Sequence, residues 1–316
     1  ALVRYRPGSG LFARWEQRRL IGAVQRQVAA FRHEGPVIVH ALSGPALHVA
    51  APIAAAVEGT LVVTLSSEAA FVDPILPELA RRCAGIMVPC RAIGERVEHT
   101  SFAGRLVETV CLGVESGNVP AAFRFSDRAP SLIHVGPLTL NAGCDTMLRA
   151  AKHVMEQYPN LLVFLVGKGP AEASLRQLAR ILNIHLSVTF TGRLRNWRSA
   201  LAGADMFCLP RAVPEAREEP LQALADGLAV VAAEGCPYDA LRDGQTALLF
   251  PENAVTELAN RICRFLDDRQ FARGIAATAQ SYMREHHTVD GMVAGFARFY
   301  CRAGGRTEIL AHPGVR

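Results

Sequence analysis

From Val37 to Glu285 short apolar runs of strand length alternate with stretches of helical periodicity, and this alternation most narrows the folds open to the chain. Strands separated by helices lie parallel in one sheet, with the helices packed on its faces. The first series has β-like runs at Val37–His40, Leu61–Leu65, Gly85–Val88 and Leu106–Leu112, with helical stretches at Pro77–Arg82 and Arg91–Thr100. Between Pro120 and Pro130 the pattern breaks into Phe123-Arg124-Phe125-Ser126-Asp127-Arg128, a polar stretch flanked by prolines, which marks a domain junction. A second series runs through strands Leu132–Val135, Leu161–Val166, Val188–Phe190, Met206–Leu209, Ala229–Ala233 and Ala247–Phe250. Its helices are Asp145–Tyr158, Ala171–Leu182, Trp197–Ala202, one opened by Pro220, Ala254–Asp267 and Gln270–Glu285. The expected fold is α/β, two doubly wound Rossmann-like domains facing across a cleft, spanning 1–128 and 129–288, followed by a helix from Val289 and a tail to 316.

Half of the residues are hydrophobic and one fifth charged, a soluble globular balance over 316 residues. The formal charge is only +5, and the basic residues are almost all arginine, lysine standing at Lys152 and Lys168 alone. Arginine suits phosphates and carboxylates in forked geometry, so acidic partners fit. No basic stripe interleaved with aromatic residues is present, which argues against nucleic acid. The eight cysteines are scattered without C-x-x-C spacing, the pattern of reduced structural thiols and not of a metal centre. No signal peptide is visible and the small-apolar run Ala46–Val57 is too short to span a bilayer, so the cytoplasm is the expected location. Leu11–Arg32 reads as a basic amphipathic helix, with Trp15, Leu20, Val24, Val28 and Phe31 among Arg14, Arg18, Arg19 and Arg26. It suits packing on a sheet and, second, peripheral contact with anionic lipid at the inner face of a membrane.

In open parallel sheets ligands bind outside the carboxyl ends of the strands, which points to the loops beginning at Gly136, Gly167, Gly192 and Pro210, and at Ala41 and Ser66 in the first domain. The stretch Leu209–Ala232 carries the most information. A strand ends at Leu209-Pro210, a loop follows, Pro220 opens a helix, and Ala225-Asp226-Gly227 closes it before the next strand. A loop of this form aims backbone N–H groups at an anion.

Ordered marks in the second series resemble the nucleotide-binding half of a family-four glycosyltransferase of the GT-B fold (glycosyl transferases group 1). They are Val135-Gly136-x-Leu138, Gly143, Val166-Gly167-Lys168-Gly169-Pro170, Phe190-Thr191-Gly192, Ala204-Asp205-x-Phe207-x-Leu209-Pro210, Ala223-Leu224-Ala225-Asp226-Gly227 and Leu241-x-Asp243-Gly244-x-Thr246. Val37–Asn118 is similar to the later part of the family's acceptor domain. The resemblance implies retaining transfer of a sugar from a nucleotide-sugar to a glycan or lipid-linked acceptor of the cell envelope or of a polysaccharide, with no metal and no cofactor besides the donor. It also implies that the final helix returns to the first domain, and that the first domain is incomplete, its opening strands lying upstream of Ala1. An exposed sheet edge there would invite a homo- or hetero-oligomer.

Several charged positions of the family carry other residues here. The arginine and lysine of its G-R-x-x-x-x-K-G loop correspond to Pro137 and Ala142, and the glutamates of its E-x7-E pair to Pro214 and Gln222. The histidine that follows the family's V-V-T strand corresponds to Ser66. For a working enzyme the residues available are Glu215 as the catalytic carboxylate one position off register, and Gly136, Lys168, Gly169, Arg195, Arg217 and Gln222 as nucleotide-sugar ligands, Gln222 on the ribose. The alternative is a non-catalytic relative that serves as a binding or assembly subunit.

Overall fold

The computed structural model describes residues 11–30, 35–42, 44–67, 73, 75–117, 120–125, 127–212 and 215–305. Contacts divide the chain into two compact units, one of residues up to Cys111 together with those from Met292, the other Leu112–Gly291.

In the first unit the order is α1 (Leu11–Ala29), β1 (Ile38–Ala41), α2 (Gly44–Val57), β2 (Thr60–Thr64), α3 (Leu76–Arg82), β3 (Gly85–Val88), α4 (Arg91–Val97) and β4 (Leu106–Thr109). The four strands form a parallel sheet in the order β1-β2-β3-β4. One face is covered by residues of α2, α3 and α4, among them Leu47, Leu79 and Ile93. The other is covered by Phe299 of α11 (Val289–Ala303) against Val62 and Met87. Helix α2 has no counterpart among the expected elements, because its Ala-rich sequence around Pro52 carries no amphipathic period. In α1 Leu20 is buried, but Trp15, read as part of the apolar face, is exposed and has the Arg19 guanidinium over its ring at 5.7 Å.

The second unit runs β5 (Ser131–Val135), α5 (Cys144–Gln157), β6 (Leu162–Val166), α6 (Glu172–Ile181), β7 (Val188–Gly192), α7 (Trp197–Ala202) and β8 (Met206–Leu209). It continues with α8 (Glu218–Ala225), β9 (Ala229–Ala233), β10 (Leu248–Phe250), α9 (Val255–Asp267) and α10 (Arg269–His286). All strands are parallel, in the order β10-β9-β8-β5-β6-β7. The alternation of strand side chains divides the core between the two sheet faces, Leu132 packing with α5 and α9 and Ile133 and Val135 packing with α8. Met147, Leu148, Ala151 and Val154 of α5 fall at helical spacing and are fully buried, and truncating Met147 to alanine would cost about 2–5 kcal/mol. Sequential order reverses at β5, whose neighbours are β8 and β6, so the crevice at its carboxyl end is the topological switch point.

The division between units falls at Cys111 and Leu112, ahead of the expected junction at 128. Hydrogen bonds explain the difference. The extended segment after Cys111 is tied to the second unit by Val114 N–H donating to the His287 carbonyl at 2.8 Å, and by Ala121 and Ala122 donating to Asp226 and Gly227 at 3.0 and 2.9 Å. Phe123 is buried in the same core. At the other end Met292 onward belongs with the first unit, three residues after the expected boundary. No helix among the described residues is long and apolar enough to cross a membrane.

Candidate nucleotide site

The loops leaving β5 and β6 are locked backbone to backbone. Gly136 N–H donates to the Val166 carbonyl at 2.9 Å, Leu138 N–H to the Lys168 carbonyl at 3.1 Å, and Gly167 N–H to the Gly192 carbonyl at 2.9 Å. Two glycines make this approach feasible. A Cβ on Gly167, whose φ is +149°, would lie 1.8 Å from the Gly136 carbonyl oxygen, and one on Gly169 would lie 2.0 Å from that of Leu138. Gly169 therefore serves loop packing, and the stem of Lys168 passes over Gly192, where a Cβ would be 3.3 Å from its Cε.

These loops wall a cavity of about 600 Å³ at the carboxyl ends of β5, β6 and β7, lined by Gly136, Pro137, Gly167, Lys168, Arg193, Leu194, Trp197, Arg217 and Glu219 together with Val135 and Val166. Three cations face one carboxylate. Lys168, Arg193, Arg217 and Glu219 form no ion pair with any described residue, whereas neighbouring charges are matched: Arg198 with Glu218, and Arg211 with Glu252 at 3.2 Å. Unneutralised cations beside the Trp197 indole, which has the Arg198 guanidinium over its ring at 5.6 Å, suit a ligand with both anionic and planar parts.

Arg217 sits just ahead of α8, its extended backbone fixed by its own N–H, which donates to the Tyr238 hydroxyl at 2.8 Å. The same hydroxyl donates to the Glu215 carbonyl at 3.3 Å. Burial raises the Tyr238 phenol well above its ordinary range, so the group stays neutral and holds the loop. The terminal nitrogens of Arg217 lie 3.3 and 3.5 Å from the point where a Cβ on Gly136 would stand, and His134 Nε2 lies 3.2 Å from that point. His134 is 2% exposed. Its Nδ1 is 3.1 Å from the Cys208 carbonyl, which can only accept, so the ring proton is on Nδ1 and Nε2 keeps its lone pair with no partner among the described residues. Burial, reinforced by the Arg217 charge and opposed by the Cys208 bond, lowers its pKa to about 4.

Of the residues expected at the site, Gly136, Lys168 and Arg217 meet in this cavity. Gly169, Arg195, Glu215 and Gln222 are not among its walls. Arg195 and Glu215 are exposed on their loops. Gln222, which the family resemblance would put on the ribose, is 2% exposed and spends its amide donor elsewhere: Nε2 donates to the Glu115 carbonyl at 2.7 Å and to Asp226 at 3.0 Å, tying the incoming segment to α8. Pro214 lies outside the described residues. Sequence reasoning missed Trp197 and Glu219 as cavity walls and passed over His134. The last left one signal, a polar residue two positions before the glycine that ends an otherwise apolar strand. No group of three or more metal-ligating side chains occurs among the described residues.

Residues 129–268 match the model of the glycosyl transferases group 1. The chain carries a glycosyl transferases group 1 domain. It is 26% identical over 213 residues to the sulfoquinovosyl transferase SQD2 of Arabidopsis thaliana, covering 61% of this chain and 40% of that protein. It is also 26% identical over 188 residues to a GDP-mannose-dependent phosphatidylinositol monomannoside mannosyltransferase of Mycobacterium tuberculosis, covering 56% and 48% respectively. The chain thus spans about half, or less, of the length of these curated relatives. HepE of Anabaena, solved in complex with UDP and glucose, superposes with a TM-score of 0.75 at 19% identity over 93% of this chain and 83% of its own. A glycosyltransferase from Rickettsia africae superposes with a TM-score of 0.76 at 12% identity over 96% and 84%. The fold is that of the GT-B glycosyltransferases, as the resemblance implied, and α/β with two parallel sheets, as the strand and helix alternation led us to expect.

Proposed function

We propose that the second unit binds a nucleotide-sugar in the cavity at the carboxyl ends of β5, β6 and β7, and that the protein takes part in sugar transfer to a glycan or lipid-linked acceptor. The observation that carries this reading is the set of three cations, Lys168, Arg193 and Arg217, with no ion pair among the described residues, around Trp197 at the switch point of the sheet. Cations of this kind stabilise a diphosphate in the bound donor and the charge that grows on it as the sugar departs. The Trp197 indole, on the cavity wall, offers aromatic surface for the base. Glu219, and not Glu215, is the carboxylate that would accept hydrogen bonds from sugar or ribose hydroxyls here. In this arrangement Arg217 supplies charge that Pro137 and Ala142, at the family's cationic positions, do not.

Those two neutral positions favour a second reading, a protein that binds the donor or its product without turning it over. Calorimetric titration with UDP and GDP, followed by assay of sugar release from UDP-glucose and GDP-mannose, separates the readings. Binding with turnover supports transfer, binding without turnover supports the second reading, and no heat at millimolar nucleotide removes both.

A further inference from the structure

His134 does more than fill the core. In an apolar strand it presents an acceptor with no partner among the described residues, buried beneath Gly136, and the charge that acts on its ring is the guanidinium of Arg217. Gly136 leaves room for both groups: a Cβ there would stand 3.2 Å from Nε2 and 3.3 Å from Arg217 Nη1, crowding each of them. A buried acceptor without a hydrogen bond is costly unless something compensates it, and a cation at short range in a water-poor site does so through ion–dipole attraction. The bond from Nδ1 to the Cys208 carbonyl fixes the tautomer so that the lone pair, and not an N–H, faces the guanidinium. The Arg217 side chain has no acid to anchor it among the described residues, while its backbone N–H is held by the Tyr238 hydroxyl.

We infer that His134 is a positioning residue for nucleotide binding: across the side-chain-free Gly136, its Nε2 lone pair holds the Arg217 guanidinium at the cavity wall, where it meets the diphosphate. This deepens the proposed function and rests on it. Histidine at 134, near the end of β5, and glycine at 136, just after it, then form one device with Arg217.

The test is a thermodynamic cycle on the full chain, read as the dissociation constant of UDP or GDP, whichever binds more tightly, with thermal melting as the folding control. His134→Phe keeps the ring volume and removes the lone pair, and is expected to weaken binding about tenfold, the scale of one hydrogen bond to a charged group. His134→Gln, which retains an acceptor, restores most of that loss. In the Arg217→Ala background His134→Phe adds less than about twofold, because its effect passes through Arg217. Gly136→Ala reproduces the weakening by parting the pair. Equal loss from His134→Phe with and without Arg217, or no loss in the wild-type background, overturns the inference while leaving the nucleotide site standing. If the wild-type chain binds neither nucleotide, the proposed function falls and takes this inference with it.

Discussion

Each unit has a histidine near the carboxyl end of its first described strand, and the two are satisfied in opposite ways. His40 on β1 uses both ring nitrogens, Nδ1 with the Tyr300 hydroxyl and Nε2 with the Thr64 hydroxyl, each at 2.7 Å, inside a cage of Phe296, Phe299 and Tyr300. His134 on β5 uses one nitrogen and leaves the other bare toward Arg217. A histidine at a strand end is therefore structural where its neighbours complete it, as for His40, and points to a site where they stop short beside a cavity full of unpaired charge.

The largest effect expected is at the backbone lock that supports the bare histidine's surroundings. Gly167→Ala would force a Cβ to within 1.8 Å of the Gly136 carbonyl at a φ of +149°, so the β5 and β6 loops must separate. We expect a loss of about 4 kcal/mol or more in denaturant melts, with loss of nucleotide binding; near-wild-type stability would show that the loops are not locked.

Next in size is a pH effect from His134. Its folded pKa, about 4, lies below the ordinary 6.5, so the unfolded chain binds the proton more readily. Stability from the neutral buried ring is complete above pH 6.5 and declines as the pH falls toward 4, by about 3 kcal/mol in all. Comparing unfolding free energies of wild type and His134→Phe across that range should isolate this portion, and parallel curves would contradict it. His40, also lowered by burial but only half-buried, gives the same sign of dependence with smaller amplitude.

His40→Phe sharpens the contrast from the other side. Removing two hydrogen bonds should cost about 1–2 kcal/mol in stability while leaving nucleotide affinity untouched, and a change in affinity would break the distinction between the two histidines. The smallest effect is at Glu215, whose exposed side chain lies outside the cavity. Glu215→Ala should shift stability by less than about 0.5 kcal/mol. If it abolished sugar turnover, that carboxylate and not Glu219 would be the one at the reacting centre.

Much of this was legible in the sequence because strand and helix periods alternate cleanly in the second unit. Met206–Leu209, Ala229–Ala233 and Trp197–Ala202 begin and end where their residues indicated. Gly227, read as a helix stop, has a φ of +70° and receives its Cβ-side neighbour, Pro120, from the entering segment. That contact could not be read locally, and it explains why the unit begins at Leu112 and not after the polar stretch. The cavity was legible as a set of loops but not as a set of side chains. Arg217 and Glu219 turn into it because Tyr238, more than twenty positions on, pins the backbone between Glu215 and Arg217. Gln222 turns away because the Glu115 carbonyl takes its amide. Both outcomes depend on partners distant in sequence, where propensity and spacing carry no information.

The central claim is that the second unit's cavity takes a nucleoside diphosphate, and Trp197 reports on it directly. The chain has two tryptophans, so in a Trp15→Phe variant all indole fluorescence comes from the cavity wall. Titration with UDP and GDP should give a saturable change in Trp197 emission for at least one of them, with a midpoint weakened about tenfold or more by Lys168→Ala or Arg217→Ala. Emission that stays constant to millimolar nucleotide, or a response indifferent to both substitutions, would contradict the account.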